Sequence, residues 1–397
     1  MGELVHMKIA LFSDTFLPEI NGVATSTANL ASILRAHGHS VLVVTTNPFN
    51  DEVTFEDDVL RIPGIAVKRV YGYRISSFYN KEAMKIIENF GPEFVHIQTD
   101  IGIGIFGNVV AVRLGIPKIY TYHTMIEDYA YYVTGGHFDR FARHVVRLFY
   151  RGKSFLMDEI IAPSAKSKDY LRSIGIDSTI DVIPTGVDLS RFSKKNIDKK
   201  KIASLKQSLG IAKDEKVILS LGRIAEEKSI DVLLRGYAEF LKKGPKIKTK
   251  FLIVGWGPAE NSLKELALSL GINDKVIFGG KVEPLLTQNY YHLGDVFVSA
   301  SLSETQGLTF MEAMASEVLV LARYDDNLAG AIVDGETGKF FFDEADFPAK
   351  LEEVLTLSPD RHASMIENAL GSLDEYSMES FYNRIIEVYS RVRKKYW

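Results

Sequence analysis

The sequence predicts an α/β protein built from two doubly wound, Rossmann-like domains with parallel sheets. Three observations lead there. The 397 residues exceed the ~100–200 of a single domain. Short β-branched runs alternate with longer amphipathic stretches, the pattern of repeated βαβ units. The alternation breaks once, around residues 187–214, and then resumes.

In the first half, strands are predicted at Lys8–Phe12, Val41–Thr45, Phe94–Ile97, Lys118–Tyr122, Glu159–Ala162 and Asp181–Ile183. Ser26–Ala36 sets Leu30, Ile33 and Leu34 at helical spacing between the first two. The break carries Asp188, Arg191, Lys194, Lys195, Asp198 and Lys199–Lys201, and reads as a solvated connector followed by a short helix. Further strands follow at Val217–Leu221, Phe251–Val254, Val276–Phe278, Val296–Val298 and Val318–Leu321. The tail has Phe381, Ile385, Ile386, Tyr389 and Val392 at helical spacing. The expected organisation is an N-terminal domain over 1–190, a second over 191–377, and an amphipathic closing helix over 378–397 that packs back on the first. Open α/β sheets bind ligands beyond the carboxyl ends of their strands, so two facing sheets would leave one deep cleft.

Composition excludes several classes. With 46% hydrophobic and 25% charged residues the chain is neither disordered nor collagen-like. Cysteine is absent, which removes disulfides, thiolate metal sites and a cysteine nucleophile. The formal charge of −4 argues against general nucleic-acid binding. The first six residues are mixed and a strand-like run follows, so no secretory leader is expected. The most apolar stretch, Ile101–Val112, contains three glycines and Asn108 and falls short of the ~20 apolar residues of a membrane span.

Two clusters could carry chemistry. Gly222-Arg223 and Lys228 lie on a strand-to-helix connection, where two cations beside a helix N-terminus suit a diphosphate. Solvated charges paired with Glu226 and Glu227 are the other reading. Glu304 falls in a loop after a strand, with Gly307, Leu308 and Thr309 opening the helix that carries Glu312. Carboxylates there can accept hydrogen bonds from sugar hydroxyls, or merely cap and solvate the helix. Gly22 sits in a turn between the first strand and helix, and His123 ends a strand before Glu127 and Asp128. Gly102, Gly104 and Gly107 match the dinucleotide fingerprint, but on a middle unit of the domain, so a nicotinamide site is set aside.

The ordered set Asn21-Gly22, His123-Thr124, Pro184-Thr185-Gly186-Val187-Asp188, Gly222-Arg223 with Lys228, and Glu304 separated from Glu312 by seven residues resembles the retaining GT-B glycosyltransferases over essentially the whole chain. Within that family, Ser303 to Thr309 and His123 to Val133 are similar to the bacterial diacylglycerol glucosyltransferases; phosphatidylinositol mannosyltransferase is a more distant likeness. Ser316-Glu317 departs from the pattern, which usually shows a Gly and a Pro before the strand.

The resemblance implies a hexosyltransferase that moves glucose from UDP-glucose to a diacylglycerol-type lipid with retention. Arg223 and Lys228 would neutralise the donor diphosphate, aided by the amides after Gly307. Glu304 would hold the hexose and Glu312 the ribose. Gly22 would close over the phosphates, and His123 would lie against the sugar. No cofactor or metal is expected, since Arg and Lys replace the ion and no Asp-x-Asp occurs. A soluble, polysaccharide or protein acceptor is the alternative, and a nucleotide-sugar-binding protein without transfer activity is a further one.

A lipid acceptor agrees with local charge. From Val59 to Lys153 there are 13 Lys+Arg against 7 Asp+Glu. Lys68, Arg69 and Arg74 are interleaved with Tyr71, Tyr73, Phe78 and Tyr79, while Arg140, Arg143, Arg147 and Arg151 share one face of a helical pattern. Such a surface suits an anionic membrane, although an ordinary amphipathic helix packed on its domain has the same pattern. Cytoplasmic location, peripheral to the inner face of the cell membrane, is the corresponding expectation.

Overall fold

The computed structural model describes residues 6–19, 21–66, 74–123, 148, 150–152, 156–302, 304–326, 328 and 330–397. The chain divides into two compact units, Met1–Gly186 with Met378–Trp397, and Val187–Ser377.

The sheet of the first unit comprises β1 (Lys8–Ser13), β2 (Ser40–Thr46), β3 (Thr54–Glu56), β4 (Val59–Ile62), β7 (Phe94–Ile97), β8 (Lys118–Thr121), β9 (Glu159–Ala162) and β10 (Ile180–Val182); β5 (Gly64–Ala66) and β6 (Arg74–Ser76) pair separately as an antiparallel hairpin. The order is β10-β9-β8-β7-β1-β2-β4-β3, parallel except where β3 meets β4. Alternate residues serve opposite faces. Ala10, Phe12, Leu42, Val44 and Ile97 pack under the helices Lys81–Phe90 and Gly102–Leu114. Ile9, Leu11, Val41, Val43 and Phe94 pack under Gly22–Ala36 and the C-terminal helix Met378–Tyr396. Burial on both faces explains why these strands read as continuous apolar runs.

The C-terminal helix belongs to this first unit. It buries Phe381, Tyr382, Ile385, Val388, Tyr389 and Val392, and the Tyr389 hydroxyl lies 2.8 Å from His96 Nδ1. Arg391 donates to Glu159 at 3.0 Å and to Asp181. The three-glycine motif serves packing. A Cβ on Gly104 would lie 2.1 Å from the Thr99 carbonyl oxygen, and one on Gly107 would lie 2.8 Å from the Phe12 ring.

The second unit has β11 (Lys216–Leu221), β12 (Thr249–Val254), β13 (Val276–Gly280), β14 (Val296–Ser299), β15 (Leu319–Arg323) and β16 (Lys339–Phe341), ordered β13-β12-β11-β14-β15-β16 and parallel throughout. The connector is not simply solvated, contrary to the sequence reading. Val187 and Phe192 are buried in this unit's core, and the Val187 amide donates to the Tyr376 carbonyl at 2.8 Å. Two large apolar side chains among many charges were enough to tie it down.

Ser316-Glu317, the departure from the family pattern, has a local cost. Glu317 adopts φ 55° just past the helix Leu308–Ala315, where glycine is favoured. Its carboxylate lies 3.4 Å from Lys194 Nζ, but both side chains are partly exposed, so the pair contributes little. Glu317→Gly is expected to raise stability by about 0.5–1 kcal/mol, read as a higher urea midpoint at unchanged m. A lower midpoint would show that the Lys194 pair outweighs the strain.

Candidate active site

The chemistry-bearing residues of the second unit collect at the carboxyl ends of β11 and β14. After β11 the chain runs through Gly222 and Arg223 into the turn Glu226–Lys228, and Ser229, at φ 49°, starts the helix Ile230–Lys242. This loop is backed by the one after β12. The Gly222 amide donates to Val254 at 3.0 Å and that of Ile224 to Trp256 at 3.1 Å. A Cβ on Gly255 would sit 1.8 Å from the Gly222 carbonyl oxygen, and one on Gly257 2.1 Å from that of Ile224. Backbone therefore packs directly on backbone beneath Arg223. Sequence reasoning missed this support, although two glycines straight after a strand were its signal.

Arg223 pairs with Glu227, as one sequence reading allows. Lys228 does not pair with its sequence neighbours. It donates to Glu304 Oε1 at 2.6 Å, joining the loop after β11 to the loop after β14. Both carboxylate and ammonium are mostly buried, with side chains 15% and 26% exposed. Burial pushes the Glu304 carboxyl up, but the charge and hydrogen bond of Lys228, a bond from Ser301 and the Arg223 charge outweigh it and hold the group below its ordinary value. Glu304 is thus a carboxylate, an acceptor fixed by a cation.

Gly307, at φ 78°, opens the helix Leu308–Ala315. Leu308 and Thr309 are half-buried in its first turn, whose amides lack intrahelical acceptors. One turn on, Glu312 accepts from the Tyr291 hydroxyl at 2.7 Å and lies 3.9 Å from Arg191. Burial raises the Glu312 carboxyl above its ordinary value, with Tyr291 and Arg191 pulling against it.

In the first unit, His123 follows β8 and its Nε2 lies 2.7 Å from Gln98 Oε1. Burial lowers its pKa to about 4 against the opposing charge of Asp100, so the imidazole is neutral at neutral pH. Asp100 accepts from Tyr120 at 2.6 Å and Tyr150 at 3.1 Å. Asp14, just past β1, accepts from the Ile103 amide at 2.8 Å, and burial raises its pKa to about 6. Asp14, Gln98 and Asp100 were not singled out from sequence, where an isolated polar residue after a strand looks like any loop residue. Gly22 is the first residue of its helix, with open space where a Cβ would be, and Asn21 caps that helix by accepting from Ala24 at 2.8 Å.

Of the basic surface, Arg74 is engaged within the unit, donating to Asp51 and to the Gly64 carbonyl. Arg151 is exposed beside Gly175. Lys68, Arg69, Arg140, Arg143 and Arg147 lie outside the described residues. Among the described residues, no group of three or more His, Asp or Glu side chains is arranged to hold a metal ion, and no helix is long and apolar enough to cross a membrane.

Residues 201–371 match the family model of glycosyl transferases group 1, and residues 20–191 that of glycosyltransferase family 4. The molecule is a two-domain GT-B glycosyltransferase. The chain is 37% identical over 96% of its length to alpha-monoglucosyldiacylglycerol synthase of Streptococcus pneumoniae, of which it covers 85%. It is 34% identical over 94% of its length to the Acholeplasma laidlawii protein of the same name, of which it covers 94%. It therefore belongs to the alpha-monoglucosyldiacylglycerol synthase family. In fold it is similar to Anabaena HepE crystallised with UDP and glucose, at TM-score 0.75, 16% identity and coverage of 97% and 100% of the two chains. The sucrose-phosphate synthase of Thermosynechococcus elongatus matches at TM-score 0.76 and 19% identity, with coverage of 98% and 100%.

Proposed function

We propose that this protein transfers glucose from UDP-glucose to diacylglycerol, with retention and without a metal ion, at the surface of an anionic membrane. The observation that carries the reading is the Lys228–Glu304 pair at 2.6 Å beside Arg223, in a chain 37% identical to a named alpha-monoglucosyldiacylglycerol synthase. Arg223 and Lys228 stabilise the negative charge that grows on the departing diphosphate, assisted by the amides of Leu308 and Thr309. Glu304, an ionised acceptor, orients the glucose hydroxyls, and Glu312 takes the ribose. The leaving phosphate is the base that receives the acceptor's proton. His123 is neutral, so it serves as a hydrogen-bond partner of the sugar and not as a charged acid. Gly22, with open space where a side chain would be, leaves the start of the first helix accessible to a phosphate.

The acceptor's hydroxyl lies at headgroup level, so the enzyme must reach the bilayer. The excess of 13 basic over 7 acidic residues between Val59 and Lys153 supports reversible attraction to the anionic inner face of the cell membrane, at ~1 kcal/mol per basic residue. Replacing Arg140, Arg143, Arg147 and Arg151 by Ser is expected to reduce sedimentation with phosphatidylglycerol vesicles at low salt while leaving UDP affinity intact. High salt should mimic the effect, as the Debye length falls to ~3 Å at 1 M. Equal sedimentation of variant and parent would remove these four arginines as the anchor. A parent that ignores vesicles altogether would favour a soluble acceptor.

A further inference from the structure

The connector between the two halves of the sequence brings Arg191 to within 3.9 Å of Glu312. Asp188 Oδ1 accepts from the Arg191 amide at 3.2 Å and from Ser190 Oγ at 2.6 Å, capping the single helical turn Leu189–Phe192. Phe192 is fully buried, its ring 5.6 Å from that of Tyr291, and this fixes the turn against the core. Arg191 lies over the Phe192 ring at 4.5 Å and presents a guanidinium nitrogen 3.9 Å from Glu312 Oε1. Tyr291, completely buried, donates its hydroxyl to Glu312 Oε2 at 2.7 Å.

The two oxygens of Glu312 are therefore treated differently. Oε2 is occupied by a rigid buried donor. Oε1 feels the Arg191 charge at ion-pair distance but beyond hydrogen-bond reach, so its lone pairs remain for hydroxyls of a ligand. Burial alone would favour the protonated carboxyl, and Tyr291 and Arg191 are the two groups that oppose it. A protonated carboxyl would offer a donor where two hydroxyls need acceptors.

We propose that Arg191 and Tyr291 are positioning residues of the donor site, acting through Glu312 so that its Oε1 accepts the ribose hydroxyls of the nucleotide. The inference rests on the reading of Glu312 as the ribose carboxylate. It also gives the Pro184–Asp188 motif a purpose: Asp188 caps the turn that aims Arg191.

The test compares affinities of the full chain for UDP and for 2′,3′-dideoxy-UDP, by calorimetry, in Tyr291→Phe, Arg191→Gln, Arg191→Lys and Glu312→Gln. Tyr291→Phe keeps the buried ring, so folding is preserved. The parent should prefer UDP, and Glu312→Gln should abolish that preference. Tyr291→Phe and Arg191→Gln should each weaken UDP by about tenfold, the first through loss of a charged hydrogen bond and the second through loss of the charge that opposes protonation of Glu312. Both should leave dideoxy-UDP unchanged and add nothing on top of Glu312→Gln. Arg191→Lys should recover most of the affinity, because the contact is a charge and not a bidentate fork. If Glu312→Gln keeps the preference for UDP, the ribose reading itself fails. If Glu312→Gln loses it while Tyr291→Phe and Arg191→Gln bind UDP like the parent, or weaken both nucleotides alike, the positioning role is wrong and the ribose reading stands.

Discussion

Arg223→Ala and Lys228→Ala are each expected to weaken UDP binding by about ten- to a hundredfold, since a charge-assisted contact to phosphate contributes ~1.5–3 kcal/mol. The two losses have different side effects. Arg223 leaves behind Glu227, its ion-pair partner. Lys228 leaves Glu304 mostly buried without the ammonium that holds it ionised. Lys228→Ala should therefore also raise the Glu304 carboxyl and impair sugar transfer beyond the loss in UDP affinity, whereas Arg223→Ala should act mainly on the nucleotide. Calorimetry with UDP, run beside thermal unfolding, separates the two. Parent-like UDP affinity in both variants would remove the cations from the diphosphate.

Glu304→Gln should do the reverse. The carboxylate carries a negative charge close to the proposed diphosphate site, and it occupies Lys228 Nζ at 2.6 Å. Its removal frees the ammonium for phosphate, so bare UDP should bind at least as tightly as to the parent. Turnover of UDP-glucose should fall by about 10²-fold, the scale of losing one preorganised electrostatic contact in a transition state. Equal losses in UDP affinity and in turnover would place Glu304 on the nucleotide and not on the hexose.

The legibility of this chain in its sequence follows from burial. Strands buried on both faces announce themselves as apolar runs, and the long parallel strands of both sheets were recognisable for that reason. The hairpin β3–β4 was not. Its strands are short and half-exposed, and its turn is Asp57-Asp58, two residues at positive φ of 50° and 58°, where Asn-Gly or Asp-Gly is the usual signal. β16 escaped because three residues show no period. The residues proposed for the donor stand in the sequence as cations and carboxylates after strands, but the pairing of Lys228 with Glu304 was not legible there. Lys228 and Glu304 are 76 residues apart, and only the adjacency of β11 and β14 in the sheet brings them together. The same holds for Arg191, Tyr291 and Glu312, and for His96 with Tyr389, where the partner is supplied by a helix at the far end of the chain.

The central claim is glucosyl transfer to a lipid without a metal ion. Its most direct measurement is incubation of the purified full chain with radiolabelled UDP-glucose and diacylglycerol in phosphatidylglycerol vesicles, with and without EDTA, followed by extraction of the lipid. The account predicts label in the lipid fraction as an α-linked monoglucosyl product, at a rate unchanged by the chelator. Label that stays in the aqueous phase with every nucleotide sugar offered, a β-linked product, or activity abolished by EDTA and restored by a divalent cation, would contradict it.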